Sequence, residues 1–123
     1  MDIELNRGSS TTLKISANIG NTQYTFQVGD VVRLSVTEKK NESNVVLRKD
    51  VEVVETANYV EIPITSSDSK IGELINKPVE YWYEIELNPT SENCQTIIGY
   101  DEDGPKIFRL YPESGETANA WTN

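Results

Sequence analysis

Val79-Glu80-Tyr81-Trp82-Tyr83-Glu84-Ile85-Glu86-Leu87 is the stretch from which the rest of the chain can be read. Successive side chains of a strand point to opposite faces, so Val79, Tyr81, Tyr83, Ile85 and Leu87 share one face, and Glu80, Trp82, Glu84 and Glu86 share the other. A helical period would scatter both sets around the axis. The segment is therefore a strand with an apolar face for a core and an acidic face that carries one large ring. Asn88-Pro89 ends it, because proline brings no N–H to a ladder.

The same period runs outward in both directions. Ile3 and Leu5 alternate with Glu4 and Asn6, and Leu13, Ile15, Ala17 and Ile19 alternate with polar residues after the turn Arg7-Gly8-Ser9-Ser10. Tyr24, Phe26 and Val28 continue the pattern up to the break at Gly29-Asp30, and Val32, Leu34 and Val36 resume it. Residues 45 to 55, 59 to 65 and 95 to 100 are further strand candidates, and Asp101-Glu102-Asp103-Gly104 reads as a hairpin connector into Lys106 to Tyr111. Ser66-Ser67-Asp68-Ser69 before Ile71, Leu74 and Ile75 predicts one short helical turn near 67–75, stopped by Asn76-Lys77-Pro78. Eight or nine short strands with almost no helix predict an all-β chain, an antiparallel β-sandwich, with a barrel as second choice. Residues 1–111 form the domain, and 112–123 form a C-terminal extension without periodicity, loose unless something docks it.

Composition mostly excludes. The chain has 123 residues, 11 basic and 20 acidic side chains, a net charge of −9 and no histidine. A chain this long can bury about two thirds of its unfolded surface without staples. The acidic balance argues against nucleic acid and against anionic membrane, both of which require clustered cations. No run approaches a membrane span, and the first residues lack the pattern of a signal peptide. Without histidine the commonest general base, the usual nucleophile pairs and the most frequent zinc ligand are missing. One cysteine, Cys94, forms no internal disulfide, and with no cation beside it reads as an inert thiol.

What remains for chemistry is thin. Glu84 and Glu86 share a strand face at a spacing open to carboxylate-pair hydrolysis, but any solvated strand face has that spacing. The acidic run 101–104 lacks the ligand order of a calcium loop and reads as a solvated turn. No catalytic, cofactor or metal residue is expected. Trp82, flanked by Glu80 and Glu84 on the outward face, is the informative residue: it is either a partner contact or covered from within the chain. Trp121, near the end, poses the same question. These four residues are the candidate interface.

Taken in order, Tyr24-Thr25-Phe26-Gln27-Val28-Gly29-Asp30-Val31-Val32-Arg33-Leu34-Ser35-Val36, the strand closing in Ile62-Pro63-Ile64 before Ser67-Asp68-Ser69, Tyr81 to Leu87, and Gln95-Thr96-Ile97-Ile98-Gly99 resemble the immunoglobulin-like N-terminal domain of tailed-phage baseplate upper proteins and related small prophage tail proteins. The likeness spans roughly residues 3 to 111. It implies an immunoglobulin-like sandwich and a non-enzymatic virion component, made in the bacterial cytoplasm, that assembles with other tail or baseplate proteins and as a homo-oligomer. Phe26, Tyr81, Tyr83 and Ile85 would be core, and Gly29-Asp30 the turn. The alternative, from the residues alone, is a carbohydrate-binding module that stacks sugars on exposed aromatics.

Overall fold

The computed structural model describes residues 2–72 and 75–113. Trp121 and most of the 112–123 extension lie outside the described residues. The chain is all-β, a sandwich of two layers. Its strands are β1 (Ile3–Asn6), β2 (Thr11–Ile15), β3 (Asn18–Ile19), β4 (Thr22–Gln23), β5 (Val31–Thr37), β6 (Val45–Glu52), β7 (Val60–Ile64), β8 (Val79–Leu87), β9 (Gln95–Ile98) and β10 (Lys106–Tyr111). The larger sheet runs β1-β10-β8-β5-β6, with β9 also on β8; β2 and β7 form a second sheet, and β3 with β4 a small hairpin.

β8 organises the larger sheet. β5 lies antiparallel along one edge, from Val32 opposite Leu87 to Thr37 opposite Trp82. The other edge is shared in succession: β10 takes residues 79–83 and β9 takes 85–87. Alternation then sorts the side chains, in β1, β5 and β8 as the sequence predicts. Tyr83, Ile85 and Leu87 are buried, as are Val32, Leu34 and Val36 of β5, Phe108 and Leu110 of β10, and Ile3 and Leu5 of β1. Ile15, Val60, Ile62 and Ile64 close the core from the second sheet. Pro63 is tolerated in β7 because a two-stranded sheet leaves each strand an open edge.

Four local expectations are corrected. The sheet is not wholly antiparallel: β1 lies parallel to β10, Ile3 opposite Phe108 and Leu5 opposite Leu110. These strands come from opposite ends of the chain, so no tight turn dictates their relative direction. Second, β9 and β10 do not form a hairpin; each pairs with β8, and residues 99–105 bridge the gap. Third, the helical turn shrinks to hydrogen-bonded turns over 65–70. Asp68 Oδ2 accepts from Thr65 N at 2.8 Å while Thr65 Oγ1 accepts from Asp68 N at 3.1 Å. Gly72, at φ 68°, leaves helical backbone after these turns, and Leu74 of the expected turn lies outside the described residues. Fourth, Tyr24–Val28 is not a strand.

Asp30 explains that last departure. Its Oδ2 accepts from the Tyr24 hydroxyl at 2.6 Å and from Gln27 N at 2.9 Å, and its Oδ1 accepts from Asn88 Nδ2 at 3.1 Å. Side-chain bonds of this kind offer the backbone an alternative to a ladder. Gly29 takes φ 96°, Val28 turns out to solvent at 67% exposure, and only Phe26 bridges to Ala57, fully buried with Tyr24 edge-on to its ring. Burial opposes ionisation of Asp30, but the bonds from Tyr24, Gln27 and Asn88 outweigh it and hold the carboxyl below its ordinary range. The same bond to Asp30 pushes Tyr24 up to about 12.

Ser69 closes the other end. Fully buried, its Oγ accepts from Gly8 N at 2.9 Å and donates to Ser9 O at 2.7 Å, tying the β1–β2 turn to the turn after β7. Ser69→Ala removes the partner of the half-buried Gly8 N–H and of the Ser9 carbonyl, and should cost about 1 kcal/mol in urea unfolding. Asp30→Asn should also destabilise at neutral pH, by about 1–2 kcal/mol. A depressed carboxyl pKa stabilises above its unfolded value, near 4, and that stability is lost as pH falls through the folded value. The gap between Asp30→Asn and the parent should therefore close below about pH 4, read as converging urea midpoints.

Candidate functional site

The outward face of the larger sheet is built in rows, because directly opposed residues share a face. The first row is Glu4, Arg109 and Glu80 across β1, β10 and β8. The second is Ile107, Trp82, Thr37 and Val45 across β10, β8, β5 and β6. The third is Glu84, Ser35 and Arg48, and the fourth Glu86, Arg33 and Asp50. One row is thus apolar but for Thr37, and it lies between charged rows.

The charged rows are satisfied unequally. Arg109 donates from Nε and Nη2 to Glu80 Oε2 at 2.9 and 2.6 Å, and from Nη1 to Glu4 Oε2 at 2.8 Å, while Lys39 meets Glu80 Oε1 at 3.0 Å. Arg109 and then Lys39 draw the Glu80 carboxyl below its usual range. Glu80, a candidate interface residue, is therefore occupied inside its own sheet. In the fourth row Arg33 meets Asp50 through two bonds, at 2.8 and 3.0 Å. Glu84 has no ion pair and no side-chain hydrogen bond among the described residues. Partial desolvation, then the nearby charges of Glu86 and Glu42, push its pKa up.

Beside Glu84 the sheet opens. β9 has ended and β10 has not begun, and a cavity of about 210 Å³ lies there, lined by Thr37, Glu42, Trp82, Glu84, Tyr100 and Pro105. Gly99 is needed beside Glu84: a Cβ there would come within 2.6 Å of the Thr96 methyl and 3.6 Å of Glu84 Cβ. Trp82 is half-buried, with Ile107 and Thr37 as cross-strand neighbours, while Tyr100 is 81% exposed. The volume falls short of the ~300 Å³ at which small-molecule pockets begin, and suits one inserted side chain.

The structure brings Trp82 and Glu84 together at this cavity, pairs Glu80 away, and leaves Trp121 outside the described residues. Tyr100, Glu42, Val45 and Arg48 are the residues sequence reading missed. Period two alone would have put Arg48 on a face, but its row depends on β5 lying between β6 and β8. The other chemical candidates stay apart from the cavity. Cys94 is exposed, its thiol donating to Glu86 Oε2 at 3.5 Å, and burial and then that bond push its pKa up. Asp101 pairs with Lys106 at 2.8 Å and accepts from Asp103 N at 2.9 Å. Among the described residues no group of acids or cysteine converges as a metal site would. No protein-family model and no curated protein sequence matches the chain.

A carboxyl with a raised pKa is charged at neutral pH at a cost to the fold, since the folded state holds its proton more tightly than the unfolded one. The stability that proton lends is lost as pH rises through the folded pKa. Glu84→Gln should therefore stabilise the protein at pH 7, by a gain that solvent screening limits to about 0.5 kcal/mol, and leave it unchanged near pH 3. Thermal unfolding at the two pH values checks both signs.

Proposed function

We propose that this chain is a non-enzymatic structural module that works by docking the outward face of its larger sheet in a multi-chain assembly, as a component of a phage or prophage tail. The observation that carries the reading is the Trp82 row: a half-exposed indole beside Ile107, with Val45 beyond Thr37, bordered by the Glu84 carboxylate, which no described residue pairs. A monomer gains nothing from presenting such a row to water, whereas large rings in desolvated pockets anchor interfaces. The tail assignment, and the virion location proposed with it, rests on the likeness of the ordered segments between residues 3 and 111 to the immunoglobulin-like domain of baseplate proteins. The carbohydrate reading is weaker. Sugar platforms need flat, open rings, and here the indole is half-covered while the cavity gathers acids.

The chain should be recovered at constant stoichiometry from tail particles purified from the phage or prophage that encodes it. Trp82→Glu should leave a folded protein in the unassembled fraction. Absence of the chain from such particles overturns the reading, and saturable quenching of Trp82 by cell-wall glycans would replace it with the carbohydrate one.

A further inference from the structure

Arg48 stands opposite Ser35 in the same row as Glu84, on the far side of the middle strand. It is exposed and has no ion pair or side-chain hydrogen bond among the described residues, and it acts on Asp50 through space. The row thus holds an unpaired acid and an unpaired base about 10 Å apart, two strand spacings, with a small residue between them. The next row, reached across a register shift between Val36 and Thr37, keeps the same order: Trp82 on one side, Val45 at 39% exposure on the other, and Thr37 between.

We infer that the occupant of this face is a second copy of the chain, related by a two-fold axis that runs along β5 above Ser35 and Thr37. Rotation about such an axis exchanges the flanks of each row and keeps the rows in order. Arg48 of one copy then faces Glu84 of the other, and Val45 faces Trp82, each contact occurring twice, as an isologous interface requires. Strand β6, at the sheet edge, lies over β8 of the other copy, and the Arg48 side chain enters the cavity between Trp82 and Tyr100. There its guanidinium meets the Glu84 and Glu42 carboxylates and can stack on the indole. Sheets that pack in this way lie about 10 Å apart with strands nearly aligned.

The inference rests on the assembly reading above and narrows it to one partner. Two features set its strength. In the fourth row the same rotation brings Glu86 against Asp50 and Arg33 against Arg33, so that end favours separation and the contact is centred on the Trp82 and Glu84 rows. Each copy also carries a charge of −9, which repels at long range. At ~0.15 M salt the Debye length is ~8 Å, so bulk repulsion is screened while pairs in contact survive. Only β8, β5 and β6 overlap about this axis, a face three strands or about 10 Å across, far below the ~800 Å² per partner of stable complexes, so the association is weak.

Charge exchange tests it. By sedimentation equilibrium at ~0.15 M salt, the parent should dimerise, Arg48→Glu and Glu84→Arg should each weaken the dimer ~10-fold or more, and the double exchange should recover most of the loss. Urea midpoints confirm that each variant is folded. A second readout uses Val45→Cys in a Cys94→Ser background, carrying a nitroxide and mixed with unlabelled ¹⁵N protein. Broadening of the Trp82 indole signal in the ¹⁵N copy reports the cross-contact directly. A parent that stays monomeric, single exchanges that associate like the parent, a double exchange no better than either single, or a dimer without that broadening would each overturn the two-fold geometry. None of these outcomes removes the chain from tail particles, so the broader reading stands or falls on its own experiment.

Discussion

The fold depends on β8 keeping one register against three neighbours. β5 fixes one edge along residues 82–87, while β10 and β9 divide the other. Since side chains alternate, a slip of one residue would exchange Tyr83, Ile85 and Leu87 with Trp82, Glu84 and Glu86, burying two carboxylates and an indole that has no room in the core. The acids on the outward face therefore help to define the inward one. The divided edge also creates the site: where β9 has stopped and β10 has not begun, Glu84 loses a flanking strand and the cavity opens beside Trp82.

Polar groups follow two different rules in this molecule. At the ends of the sandwich they are fully engaged. Asp30 gathers three donors between the Tyr24–Val28 segment and the end of β8, and Ser69 joins two turns far apart in sequence. Among the described residues no buried side-chain nitrogen or oxygen lacks a partner. On the outward face the arrangement is uneven. Glu80 is gripped by Arg109 and Lys39, and Arg33 by Asp50, yet Glu84 and Arg48 stay apart in one row with Ser35 between them. Ser35 is only 7% exposed although it faces outward, which shows how closely its neighbours crowd it. Arg109 illustrates what a direct cross-strand neighbour makes possible, and Arg48, one strand too distant, what its lack prevents.

The period of two was enough to sort the faces of β1, β2, β5 and β8, and hence to find much of the core and single out Trp82. It could not supply what depends on strand order. The parallel pairing of β1 with β10 joins the two ends of the chain, and no local signal encodes that. Tyr24, Phe26 and Val28 alternate as a strand should, but Asp30 competes for their backbone, and the motif Gly29-Asp30 was legible only as the turn and not as the reason the ladder fails. Thr65 and Asp68 cap one another as at a helix start, yet Gly72 follows within a turn. The site shows the same division. Trp82 and Glu84 were visible as neighbours on one strand, whereas Glu42, Tyr100 and Arg48 join them only through the sheet.

A face composed in this way favours one mode of contact over many. An apolar row alone would attract any greasy surface in any orientation, and an acid of net charge −9 would repel most of them. Placing Glu84 and Arg48 at equal distances on either side of β5, with Trp82 and Val45 placed likewise in the next row, makes the match depend on direction. Shifted by one strand, a second copy would set acid near acid and the indole over a hydroxyl, and reversed end to end it would set the Trp82 row against the charges of another row. Those alternatives lose both the apolar and the ionic contact together, and this joint loss is what lets a small face choose its partner. The small side chains of Ser35 and Thr37 on the middle strand complete the condition, because bulk on the axis would hold the two sheets apart before either flank could close.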